Sequence, residues 1–155
     1  LYLIQGRAFD TLTERLEVRL EGIEEPRERL RILMENHLTY FLDNMPEMKV
    51  LSHEADSLNG EYHSCVHAKK RRLVAIAREV IQDLRPDSPV DGRVATFAMF
   101  GMMNWIYTWH HAARDIPAIQ LADEMCSIFL DGFLNLGEGA ALSGMITADY
   151  STEGR

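Results

Sequence analysis

His63 and His67 stand four residues apart in a helical stretch, a spacing that can set two imidazoles on one metal ion. His53 and Glu54 lie one segment earlier and His37 one before that, but no spacing supplies a third ligand. A plain pair of polar positions beside a loop accounts for the same residues. Asn104 raises a different chemistry. It interrupts the apolar run 97–111, FAMFGMMNWIYTWHH, in which Trp105 and Trp109 are one turn apart and Gly101 sits one turn earlier. An amide in such a run must find a hydrogen-bond partner, which leaves a ligand, a facing subunit or a nearby backbone carbonyl. A helix apolar nearly all round must also be covered on more than one side. One side belongs to the chain's own core, and the other calls for a partner subunit or a ligand.

Methionines and aromatic rings are plentiful around this run. Met34, Met45, Met48, Met99, Met102 and Met103, with Tyr40, Phe41, Tyr62, Phe100, Trp105 and Tyr107, could line an adaptable apolar pocket, although any single one more simply fills core. The cations Lys69, Lys70, Arg71 and Arg72 span one helical turn, so only one or two could face a phosphate; a solvated face is the simpler account. His110 and His111 suit a helix end, where they meet the last carbonyls. There is no G-x-S-x-G, phosphate loop or dinucleotide turn, and Glu-x-x-His pairs for a di-iron bundle are missing. An enzyme is not expected, and neither is a cofactor.

The chain of 155 residues is 46% hydrophobic, enough for one domain with a core. A formal charge of −8 argues against this chain by itself gripping a nucleic-acid backbone. Cys65 and Cys126 fit no metal or redox spacing and are expected to be free thiols. No apolar run reaches membrane-spanning length and no signal-peptide layout is visible, so a cytoplasmic protein is expected.

Helical periodicity recurs in about six blocks and period-two alternation is missing, which predicts an all-α domain. The expected helices cover 7–21, ended by Gly22; 26–43, opened by Pro26 and stopped at Asn44-Met45-Pro46; 47–58; 61–84; 89–112, with Ser88 as cap and Pro89 in first position; and 117–136. Residues 137–155 are expected to form a flexible tail.

The wording of the last two helices resembles the dimerisation hairpin of the TetR family of transcriptional regulators. Gly101-Met102-Met103-Asn104-Trp105-Ile106-Tyr107-Thr108-Trp109, then Ala122-Asp123, Phe129-Leu130 and Gly132-Phe133, are similar to the G-M-x-N-W-x-Y-x-W ending of one subgroup. That subgroup includes acyl-CoA-responsive regulators of fatty-acid and sterol catabolism. Leu1-Tyr2, Gly6-Arg7 and Leu12 resemble the family's L-Y-x-x-F-x-S-K-x-x-L junction, with a one-residue gap and Gly-Arg in place of Ser-Lys.

The resemblance implies a TetR-like C-terminal domain whose last two helices pair in a four-helix homodimer interface. Residues 1–6 would be the remnant of a junction to a helix-turn-helix of roughly fifty residues that is absent from this sequence. Residues 7–136 would be the ligand-binding and dimerisation unit. Tyr2 and Arg7 inherit DNA-phosphate contacts. His37, Phe41, Tyr62, Phe100, Asn104 and Trp105 are the expected ligand residues, and Gly101, Trp109, Met125, Phe129 and Phe133 the dimerisation residues. The partners implied are a second copy, operator DNA and an apolar effector such as an acyl-CoA that releases DNA from a repressor. A helical scaffold without a DNA role, and a metal protein using His63 and His67, stand as alternatives.

Overall fold

The computed structural model describes residues 2–53 and 61–134, with all regular structure among them helical. Six α-helices run Tyr2–Leu20 (α1), Pro26–Asp43 (α2), Met45–His53 (α3), Glu61–Leu84 (α4), Gly92–Asn104 (α5) and Ala118–Leu134 (α6). A 3₁₀ turn, Trp105–Thr108, continues α5. None of the described helices is long and apolar enough to cross a membrane.

Local chemistry explains most boundaries. α1 ends where Gly22 takes a φ of 72°, a left-handed geometry that glycine reaches without a Cβ penalty. Pro26 opens α2, and the Glu25 carboxylate accepts from the backbone N–H groups of Arg27 and Glu28. α2 stops at Asn44, whose side-chain amide donates to the Tyr40 carbonyl at 2.8 Å. α3 restarts at once with Pro46 in its first turn, two residues before the expected start.

Two further starts differ from expectation. α1 is already helical at Tyr2, because nothing in 2–6 breaks a helix. α5 begins at Gly92 rather than Pro89, because Asp91 takes the cap by accepting from the Arg93 N–H at 2.6 Å. Ser88 instead closes a turn, with its Oγ accepting from the Val90 N–H. The helix expected to reach 112 leaves α geometry at Asn104. Thr108 Oγ donates to the Trp105 carbonyl at 2.7 Å, and Trp109 N–H bonds back only to Ile106.

α2 is the central element and touches every other helix. Its Leu30, Leu33, Met34 and Leu38 join Leu16, Val80, Ile81, Met99, Met103 and Ile106 in one fully buried core. Most of the candidate pocket methionines with described side chains therefore fill core: Met34, Met48, Met99 and Met103 are essentially inaccessible. The cationic run on α4 is divided. Lys69 pairs with Asp10 and Arg72 makes a two-oxygen pair with Glu17, so two of the four cations clasp α1 while Lys70 and Arg71 face solvent.

Candidate functional site

α2 and α5 bring together four of the residues expected to meet a ligand. His37 is buried at 6% exposure, and its Nε2–H donates to Asn104 Oδ1 at 2.8 Å across 67 residues of sequence. Its ring stacks on Phe41, with centroids 5.2 Å apart, and meets Phe100 edge-on at 5.4 Å. Burial pushes the His37 pKa down to about 4, against a smaller upward pull from Asn104, so the imidazole is neutral at physiological pH. The result is an uncharged polar pair set between aromatic rings. Such a group can orient a polar atom of a largely apolar molecule by hydrogen bonding, and it has no nucleophile or charged acid–base pair with which to transform one.

Asn104 itself is solvent-exposed at the end of α5, so its bond to His37 links the core to the outer surface. The residue before His37 makes a second link. Asn36 is buried at 3% exposure, and its Nδ2 donates to the Leu12 carbonyl of α1 at 3.0 Å. Reading the sequence alone passes over Asn36, although an amide flanked by Met34, His37 and Leu38 on an apolar face is the available signal.

Trp105 is not part of the buried cluster. It is 61% exposed and shares the outer face of α5 with Val94, Phe97 and Gly101, while Trp109 follows at 44%. A Cβ added at Gly101 would meet nothing within 4 Å, so within one chain this glycine serves no close packing. On α6 the exposed apolar residues are Ile119 and Ile128. Met125 and Phe129 turn the other way, each 8% exposed and packed in the chain's own core. The side chains of Tyr2, Tyr62 and Phe133 lie outside the described residues, as does the tail expected over 137–155. Arg7 is exposed on α1.

The metal reading gains no support. Among the described residues no three His, Cys, Asp or Glu side chains are placed to share an ion; His67 is exposed and the side chain of His63 is outside the described set. His110 is buried and donates from Nε2 to the Ile116 carbonyl at 3.0 Å, closing the loop before α6 instead of capping its own helix. His111 does bond a carbonyl at that end, that of Trp109 at 2.7 Å.

An open groove of about 230 Å³ runs between the start of α2 and α6. Its charges answer one another: Arg31 bonds Glu28 and Glu35 and lies 3.6 Å from Asp123. Cys126 at its floor is an unreactive thiol, its pKa pushed up to about 11 by burial first and Asp123 second. Cys126 carries a free thiol.

Comparison with known proteins decides the family. Residues 24–133 match the tetracyclin repressor-like C-terminal domain, well over half of the sequence. The chain belongs to the TetR family of transcriptional regulators. A TetR-family regulator from Bordetella parapertussis 12822 is 31% identical over 86% of this chain and 71% of its own, with a TM-score of 0.78. AibR, solved in complex with isovaleryl coenzyme A and operator DNA, is 27% identical over 82% of this chain and 71% of its own, with a TM-score of 0.71. The TetR-family regulator PfmR from Thermus thermophilus is 26% identical, covering 84% and 72%, with a TM-score of 0.74. No curated protein matches the chain. The helices described above are thus the C-terminal domain of a TetR-family regulator, not an enzyme fold.

Proposed function

We propose that this domain is the effector-sensing and dimerising part of a cytoplasmic TetR-family repressor, spanning residues 7–136. The effector is an apolar small molecule with a polar group that hydrogen-bonds His37 or Asn104, and an acyl-CoA is the favoured class. The observation that carries the reading is the convergence of His37, Phe41, Phe100 and Asn104 on one point between α2 and α5. A neutral pair flanked by aromatic rings suits an acyl carbonyl with an apolar chain better than a charged headgroup. AibR, a relative of similar fold, is known with a coenzyme A thioester bound.

Phe97 and Gly101 on α5 and Trp105 on the 3₁₀ turn, with Ile119 and Ile128 on α6, form an apolar surface suited to a second copy related by a two-fold axis. In the dimer, α1 would lead towards an operator-binding helix-turn-helix, and Tyr2 and Arg7 would lie near DNA phosphates. The effector releases DNA by favouring one setting of α1 over another, which requires unequal affinity for the two settings.

Native mass spectrometry of the purified domain, followed by thermal melts with acyl-CoA thioesters of graded chain length, tests both halves. A dimer whose melting temperature rises with one range of chain lengths supports the proposal. A monomer indifferent to every thioester would instead favour a helical interaction module.

A further inference from the structure

Asn36 and His37 are consecutive residues of α2, yet their side chains leave in different directions and tie α2 to two different helices. Asn36 Nδ2 holds the Leu12 carbonyl in the middle of α1, and His37 Nε2 holds Asn104 at the end of α5. Both are nearly inaccessible to solvent, so neither bond can be exchanged cheaply for one to water. The two anchored points differ in kind. Leu12 belongs to a helix whose polar side is clasped to α4 by Lys69 and Arg72. Asn104 is the last α-helical residue before the 3₁₀ turn that carries Trp105.

We propose that the Asn36–His37 step is a mechanical coupler, through which a displacement of the C-terminal end of α5 is passed across α2 to α1. The core on either side, with Leu33, Met34 and Leu38 fully buried, leaves α2 no room to absorb a shift by local repacking. A small movement at His37 therefore turns the Asn36 amide as well, because both side chains spring from adjacent positions of one stiff helix. The consequence for DNA release rests on the proposed sensing role. The coupling itself belongs to this chain and needs neither effector nor DNA to be measured.

Hydrogen–deuterium exchange resolved by peptide, on the intact chain, is the test. Asn104→Ala removes the acceptor at an exposed position. Exchange is expected to quicken about tenfold both over 101–108 and over 9–16 of α1, with α6 beyond residue 121 unchanged. Asn104→Asp keeps an oxygen for the His37 donor and should leave α1 at the wild-type rate. His37→Gln, which keeps a donor, provides a second variant should the alanine protein fold poorly, and it too should leave α1 unchanged. Acceleration confined to α5, or spread evenly over all helices, would overturn the coupler. A wild-type protein that responds to no effector while the variants show the expected exchange pattern would count against the sensing role alone.

Discussion

His37 in α2 donates a hydrogen bond to Asn104 at the end of α5, joining a buried imidazole to an exposed amide 67 residues away. The bond ends one residue before Trp105, whose indole is exposed on the 3₁₀ turn that follows. It also bears on the protonation of His37, since burial outweighs the help that the Asn104 oxygen would give to an imidazolium.

The depressed pKa of His37 has a definite effect on stability. Between pH 6.5 and about 4 the unfolded chain takes up a proton at this residue that the folded protein refuses. Stability from this group is complete above pH 6.5 and is lost as the pH falls, by roughly 3 kcal/mol in all. Denaturant titrations of wild type and His37→Gln from pH 7 to pH 4 should show that the variant lacks this part of the acid sensitivity. Parallel curves for the two proteins would contradict the assignment.

Phe97 is 47% exposed on the outer face of α5, so a charge there harms the fold little but is incompatible with a dry interface. If the proposed dimer forms through this face, Phe97→Arg is expected to be monomeric by sedimentation equilibrium at concentrations where the wild type associates. Its melting temperature, measured on the monomer, should stay close to that of wild-type monomer. Trp105→Ala should weaken dimerisation in the same sense and leave the His37 cluster intact.

Leu33 is almost fully buried in α2 at the centre of the core. Leu33→Ala should cost about 2–5 kcal/mol, the range for a buried leucine that leaves a partly collapsed cavity. Urea unfolding would read this as a lower midpoint with an unchanged slope. A loss well under 1 kcal/mol would mean that the core around α2 yields more readily than close packing allows.

The Arg72–Glu17 pair has good geometry but stands in solvent, with side chains 62% and 39% exposed. Glu17→Gln is therefore expected to cost no more than about 1 kcal/mol, and less in high salt. Chemical denaturation at low and high ionic strength would check both the size and the screening. A larger, salt-independent loss would show that this clasp holds α1 more firmly than an exposed ion pair can.

Much of this protein is legible in its amino-acid sequence. Periodic apolar residues, Gly22, Pro26 and the break at 85–89 are local signals, and they place the starts of five of the six helices to within three residues. The wording of 101–109 and 122–133 carries the family, which the comparison with known proteins bears out. His37, Phe41, Phe100 and Asn104 stand out by residue type, each a ring or a polar group on an apolar helix. What periodicity does not decide is orientation. A helix apolar all round, such as α5, has no polar face to mark its outside, so by sequence Trp105 is as fit for a pocket as Phe100. On α6, Met125 and Phe129 are as fit for an interface as Ile119 and Ile128. Packing against α2 and α4 settles which side chains turn inward, because only one stripe of each helix can reach those elements. The partner of Asn104, the tie from Asn36 to Leu12 and the change to 3₁₀ geometry at Trp105 belong to the tertiary structure. The two ties join residues far apart in sequence, which only the folded chain brings within hydrogen-bonding reach.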